Sequence, residues 1–371
     1  MPSRYRSNLL ALSALALAAL PGCAPDEEPA ADASTAVEEE TAAPPSLTAD
    51  AAAATITPEE MKMRIGVLAH DSMGGRNTPS PGLEAAARWA AREFQAMGLE
   101  PGGDDGTFIQ RWEYTPRPRR GAQEGAEAGS AEPQAVPVPN VVAFLPGSDA
   151  ELDDEWVVFT AHFDHVAGPP DETGDSIYNG ADDNASGSAA VLEIAQAFSA
   201  LATPPRRSVA FVLVSGEEKG LLGARHFASG TSLPKEAMVA DINADMVSRN
   251  WPDSIFVFGD EYSTLGATLE EVIAAHPEVG IHVMENRWPQ MPLFRMSDHH
   301  AFVREGIPGI FFFSGLHENL HRPSDEVELV DAEKAARVAR LIFYFGYEVA
   351  QADERPDWTE AGREMLTSLG S

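Results

Sequence analysis

Six short runs rich in Val, Ile and Phe fall between residues 140 and 313, and helical stretches separate several of them. The runs are Asn140–Leu145, Trp156–Thr160, Ser208–Val214, Met238–Asn243, Ser254–Phe258 and Ile307–Phe313. Helical patterns cover Leu83–Met97, Ser188–Phe198, Ser263–His276 and Ala332–Val349; in the first, Leu83, Ala87, Ala90, Phe94 and Met97 recur at three- and four-residue spacing. Strands that alternate with helices predict an α/β fold, a mainly parallel mixed sheet with helices on both faces. Ligand sites in such folds lie at the carboxyl ends of strands, so polar residues directly after an apolar run carry the most information.

The flanks read differently. Arg4 and Arg6 precede an apolar run from Leu9 to Leu20, and small residues lead to Cys23, the chain's single cysteine. That is a secretory signal pattern over residues 1–22, resembling a bacterial lipobox, which implies cleavage before Cys23 and lipidation of its thiol. The run is too short to span a bilayer comfortably, since about 20 apolar residues are needed. The expected location is the bacterial cell envelope, on the periplasmic side or the cell surface, with membrane contact only through lipidated Cys23. Residues 23–55 are rich in Ala, Pro and acidic residues and read as a disordered tether. Folded structure is expected from residue 56, where Thr57 suits a helix N-cap, Pro58 the first turn and Glu60 the capping-box partner. The catalytic domain is expected over 56–355, with an exposed loop at 115–139 and a C-terminal tail at 356–371. The net charge is −32, from 58 acidic and 26 basic residues. A surface this acidic argues against nucleic acid and against electrostatic docking on anionic lipid.

The polar residues after the strand runs form a series. His162 and Asp164 follow the Trp156–Thr160 run and point the same way. A ligating His commonly donates its second N–H to a carboxylate, so His162 is a metal-ligand candidate and Asp164 its supporting partner. Asp183 lies in the turn Gly180-Ala181-Asp182-Asp183-Asn184-Ala185-Ser186-Gly187, just ahead of a helix; two aspartates and an Asn exceed what capping needs. Glu217-Glu218 follows the apolar run ending at Val214. Adjacent carboxylates there repel one another and lose hydration, and a dication relieves both effects; one can ligate while the other serves as a base. Asp245 closes the next run, and His321 follows the last. Carboxylates mixed with imidazole suit zinc, with manganese or cobalt as alternatives.

These motifs, with Asp245-Met246 and His321-Arg322-Pro323-Ser324-Asp325, resemble a zinc metallopeptidase family. It contains bacterial leucyl aminopeptidase, aminopeptidase S and aminopeptidase Y, together with glutamate carboxypeptidase II and glutaminyl cyclase. The resemblance covers roughly residues 60 to 350. It implies a zinc-exopeptidase (phosphorylase/hydrolase-like) fold and two zinc ions per chain. By it, Asp183 bridges the ions, His162 and Asp245 hold one, and Glu218 and His321 the other. Glu217 is then the general base, and Asp164 supports His162. One position departs from the pattern: several members carry a Tyr before the last His, where this chain has Leu320. The 115–139 segment is also too short to be the domain that some relatives insert.

The leading expectation is an aminopeptidase acting on peptides with a free N-terminus. A carboxypeptidase, a glutaminyl cyclase and a non-catalytic binding lipoprotein are the competing readings; a dead scaffold would be expected to have lost ligands or the base. His165, His299 and His317 read as supporting or structural histidines, and Asp298 as shaping its turn. Phe163, Phe294 and Phe302 are candidate walls for an apolar side-chain pocket. The sequence does not specify an oligomeric state.

Overall fold

The computed structural model describes residues 46–116 and 134–369. The signal segment 1–22, Cys23, the tether up to residue 45 and the 117–133 part of the expected loop lie outside the described residues.

The strands are β1 (Glu100–Pro101), β2 (Ile109–Tyr114), β3 (Val136–Leu145), β4 (Trp156–His162), β5 (Ser208–Val214), β6 (Met238–Ala244), β7 (Ser254–Phe258), β8 (His282–Met284) and β9 (Gly309–Phe313). They form one sheet in the order β1-β3-β5-β4-β6-β9-β7-β8, with β2 pairing β3. The four central strands β5, β4, β6 and β9 are parallel, and antiparallel pairs flank them on both sides. The α-helices are α1 (Ala49–Ala53), α2 (Pro58–Leu68), α3 (Pro81–Ala96), α4 (Gly187–Ser199), α5 (Leu222–Ala228), α6 (Leu265–Ala275), α7 (His299–Arg304), α8 (Ala332–Gln351) and α9 (Glu360–Leu369).

Every residue of β5 is buried because helices cover both faces. Val209, Phe211 and Leu213 join the larger core with α2, α3, α4, α6 and α8, while Ala210, Val212 and Val214 join a smaller one with α5 and α7. At the centre of the larger core, Phe159 and Phe211 stack with ring centroids 5.6 Å apart, and Phe198 meets Phe343 edge-on at 4.9 Å. Burying a ring of this size stabilises the fold by roughly 1.5–3 kcal/mol. The α2 N-cap forms as expected, with Thr57 Oγ1 accepting from Glu60 N at 3.2 Å and Pro58 in the first turn, while the Glu60 carboxylate accepts from Gln196 Nε2 at 3.3 Å.

Both ends carry more structure than the sequence suggests. The tether was expected to run to residue 55, yet Leu47 bridges Leu201 and α1 packs Ala52 and Ala53 into the core. Arg340 of α8 donates to the Ile56 carbonyl at 2.7 and 2.9 Å. Small side chains permit this close packing while giving no apolar signal. The expected tail contains α9, anchored by a Trp358–Ser263 bridge and a Thr359 N to Tyr262 O hydrogen bond of 2.9 Å. The expected 115–139 loop ends in the first residues of β3, where Pro137 and Pro139 pair with β2. Among the described residues, no helix is long and apolar enough to cross a membrane.

The register positions the site. His162 lies opposite Val214, and Thr160 opposite Asn243. His162, the Glu217-Glu218 turn and Asp245 therefore emerge together at the carboxyl edge of the sheet.

Candidate metal centre

His162 is buried at the end of β4. Its Nδ1–H donates to the Asp164 carbonyl oxygen at 3.1 Å, which leaves Nε2 free to face Asp183 and Asp245. Asp183 Oδ1 lies 3.4 Å and Asp245 Oδ1 3.3 Å from that nitrogen. A second group sits beside it: His321 Nε2 is 3.0 Å from Asp183 Oδ2 and 3.2 Å from Glu218 Oε1. His165 Nδ1 is 3.5 and 3.3 Å from the same two oxygens. Asp183 thus turns one carboxylate oxygen to each group.

These separations suit metal ions. Ligand bonds of about 2.0–2.2 Å at near-tetrahedral angles place donors about 3.4 Å apart. Several of the donors also lack a well-formed hydrogen bond among the described residues: Asp245 Oδ1, Glu218 Oε1 and both ring nitrogens of His165. Buried polar atoms are normally satisfied, so this cluster has the character of an ion site. Two donor triads meet within one ion's reach, His162–Asp183–Asp245 and His165–Asp183–Glu218.

The charges confirm how tightly the groups are coupled. Close contacts with the Asp183 and Glu218 carboxylates push the His321 pKa up to about 10. Burial alone would lower that of His162, but the charges of Asp245, Glu217 and Asp183 outweigh it and hold the imidazole well above its usual range. Burial would raise Glu218, yet its contacts with His165 and His321 hold it far down. Its neighbour Glu217 goes the other way: burial, with Asp298, Glu218 and Asp245 nearby, pushes it well above the carboxylate range against the pull of His162.

Asp164 supports the site differently from the sequence expectation. Its backbone carbonyl, rather than its carboxylate, orients His162; the carboxylate oxygen is 3.9 Å from Nδ1. The carboxylate accepts from Thr78 Oγ1 at 2.8 Å and from the Glu217 amide at 3.2 Å, so it fixes the backbone of the candidate base.

The turn from Asp182 to Gly187 ties Asp183 to the end of β6. Asn184 Nδ2 donates to the Ala244 carbonyl at 3.1 Å, and its Oδ1 accepts from Gly187 and Met246 amides at 2.8 and 3.1 Å. Asp182 accepts from Ser248 N and Oγ and lies 3.2 Å from His317 Nε2. Gly187 is required by close approach: a Cβ there would sit 2.2 Å from the Ala244 carbonyl oxygen. Asp245 itself is held by Ser297 Oγ at 2.7 Å, which accepts in turn from Asn243 Nδ2 at 2.6 Å.

Three further residues, given neither a ligand nor a catalytic role by the sequence reading, shape or face the site. Asp325 Oδ2 accepts the Asp182 and Asp183 amides. Buried Arg76 donates to the Phe163, Asn179, Gly180 and Leu68 carbonyls, bracing both ligand-bearing loops; its only local signal is a cation beside glycines. His165 was read as structural, yet it faces the second group directly. His299 and His317 do serve structure: His299 stacks on Phe311 with centroids 5.1 Å apart, and His317 meets Asp182. Asp298 is fully buried, and burial above all pushes its pKa to about 8, against the pull of His162 and with Asp245 and Asp164 adding to it.

A cavity of about 170 Å³ opens onto the cluster. His162, Asp183, Glu217, Glu218, Asp245 and His321 form its polar floor, and Met246, Leu293, Phe311, Phe313, Leu316 and Leu320 wall it. The walls expected from sequence are elsewhere: Phe163 and Phe302 fill the two cores, and Phe294 meets Tyr262 edge-on. A larger cleft of about 1000 Å³, lined by Arg111, Trp112, Lys219 and Arg225, holds none of the candidate ligands. Its size is not a guide to the chemistry, because His162, Asp183, Glu218 and Asp245 line the smaller cavity and not this cleft.

Residues 140–346, more than half of the chain, match the model of peptidase family M28, and the chain belongs to that family. It is 27% identical over 228 residues to a probable leucine aminopeptidase of Arthroderma benhamiae, covering 58% of this chain and 58% of that protein. The chain therefore spans little more than half the length of that relative. In three dimensions it is similar to the Legionella pneumophila LapA aminopeptidase, with a TM-score of 0.60 and 21% identity over 82% of this chain and 74% of that one. It is equally similar to Fimbriiglobus ruber glutaminyl cyclase, with a TM-score of 0.61 and 18% identity over 79% and 95% of the two chains. At these identities the likeness concerns the fold.

Proposed function

We propose that this chain is an exported, lipid-anchored dizinc exopeptidase that removes N-terminal residues from peptides. The observation that carries the two-ion reading is Asp183, whose two carboxylate oxygens face separate donor groups. His162 and Asp245 would hold one ion with it, and Glu218 and His321 the other. When bound, the ions supply polarisation of the scissile carbonyl and a more acidic water.

The rest of the chemistry belongs to the protein. Glu217 lines the cavity outside both ligand groups, on a backbone fixed by Asp164. Its carboxylate takes a proton from the attacking water and returns it to the leaving amine nitrogen, giving a free amino acid and a shortened peptide. The cavity holds one side chain, and its apolar walls favour Leu, Met or Phe. No Arg or Lys lines it among the described residues, so nothing there grips a terminal carboxylate. An α-ammonium suits the acidic floor better, which favours an aminopeptidase over a carboxypeptidase. The glutaminyl cyclase reading draws support from the shared fold, while the apolar walls favour hydrolysis of apolar termini.

The decisive experiment pairs elemental analysis of the purified full chain with free and N-acetylated leucyl substrates. Close to two zinc ions per chain, with hydrolysis of the free substrate only, is the expected result. Equal cleavage of both substrates would refute the aminopeptidase assignment, and absence of zinc from zinc-supplemented folded protein would refute the metal centre.

A further inference from the structure

We infer that His165 is a fourth protein ligand of the second ion, so that the two ions are held unequally. This rests on the two-ion reading above and goes beyond the ligand set implied by the motifs, which gives each ion one histidine.

Three observations carry it. His165 Nδ1 approaches Asp183 Oδ2 and Glu218 Oε1 within 3.5 and 3.3 Å, nearly as close as His321 Nε2, at 3.0 and 3.2 Å. Both imidazoles thus converge on the same two oxygens, and their rings meet edge-on with centroids 5.6 Å apart, reaching the site from different sides. His165 is also fully buried, and neither ring nitrogen has a hydrogen-bond partner among the described residues. A buried donor or acceptor left unsatisfied is costly; an ion between the imidazole and the two carboxylates would remove that cost. Finally, the ring is packed in place. A Cβ on Gly180, whose φ is +55°, would fall 2.6 Å from His165 Cγ, so only glycine leaves room for the ring.

The two positions then differ in kind. The first ion has three protein donors, His162, Asp183 and Asp245, and keeps an open place for water or substrate, as catalytic zinc sites do. The second would have four, with His165 joining Asp183, Glu218 and His321. His165, rigidly buried after β4, prepares this site; His321, with half its side chain exposed, closes it.

The test is zinc titration of chelator-stripped full-length protein and of its His165→Ala variant. Wild-type protein should bind two ions in distinguishable steps, the tighter at the four-donor site. The variant should lose at least ~10-fold in affinity for one ion, the lower end of what supporting residues contribute, with the other step unchanged. X-ray absorption at the zinc edge of the wild-type protein gives an answer independent of how the variant folds. Three imidazoles shared by two zinc ions support the inference, and two imidazoles overturn it. Unchanged titration of a folded variant also overturns it, leaving the two-ion reading intact. Binding of a single ion by wild-type protein would instead overturn the two-ion reading and the inference with it.

Discussion

Asp325 holds Asp183 by its backbone: the Asp325 Oδ2 atom accepts the Asp183 amide at 3.1 Å and the adjacent Asp182 amide at 3.0 Å. The residue that faces both donor groups is thereby tied to the same short loop that carries His321. Arg249, 3.6 Å from the other oxygen, steadies the clamp from a third segment. His-x-Pro-x-Asp is thus a unit in which the His faces the site and the Asp aligns the residue opposite.

Replacing Asp325 with Asn removes the charge and offers an amide N–H2 where two backbone donors need an acceptor. Asp325→Asn should fold and lower zinc affinity by roughly 10–100-fold, the range found for residues that orient ligands. Chelator competition measures this; affinity equal to wild type would show that Asp183 is positioned without the clamp.

Glu217 lines the cavity but belongs to neither donor triad. Glu217→Gln should therefore retain both ions and lower kcat by at least ~10²-fold, the lower end for general acid–base groups. Near-normal turnover with full zinc content would place the base elsewhere.

The His321 pKa of about 10 in the metal-free protein, against 6.5 for free imidazole, means the ring is protonated at neutral pH. Its interaction with Asp183 and Glu218 stabilises the metal-free fold fully below pH 6.5 and is lost as pH rises through 10. A metal ion needs the neutral ring, so zinc binding must displace this proton, and affinity should rise with pH over the same interval. Calorimetry at pH 7.5 in buffers of different ionisation enthalpy should detect release of at least one proton per chain. A heat independent of buffer would contradict this.

The proposed lipid anchor is read from Arg4, Arg6, the Leu9–Leu20 run and Cys23. Cys23→Ser should block processing or release the protein from the membrane fraction on fractionation and immunoblotting. A variant that is cleaved normally yet stays with membranes would eliminate lipidation as the anchor.

Strands β4 to β7 and β9 were readable because both of their faces are buried and their apolar runs are continuous. Short edge strands left no such trace. β2, with the sequence Ile-Gln-Arg-Trp-Glu-Tyr, turns half its residues to solvent, and β8 has three residues. The motif residues were legible because a metal site constrains type and spacing locally. The roles of Asp325, Arg76 and His165 depend on segments that meet only in the fold: Arg76 and Gly180 are 104 positions apart, and Asp325 and Asp182 are 143. The apolar walls were misplaced for the same reason. A phenylalanine near a motif in sequence, such as Phe163, is drawn into the core, while Leu293 reaches the cavity from the segment after β8 and Phe311 and Phe313 from β9.

The donors enter the chain in strand order: His162 ends β4 and Asp183 follows it, Glu218 comes after β5, Asp245 after β6 and His321 after β9. A ribosome has therefore made all of the strands before the last donor exists. Even then β9, which lies between β6 and β7, must slot into place before its loop can reach the others. A truncated product lacking residues beyond Phe313 would keep every strand of the sheet yet have no His321 to complete the second donor group. His321 thus joins the other donors only after every strand of the sheet has been made.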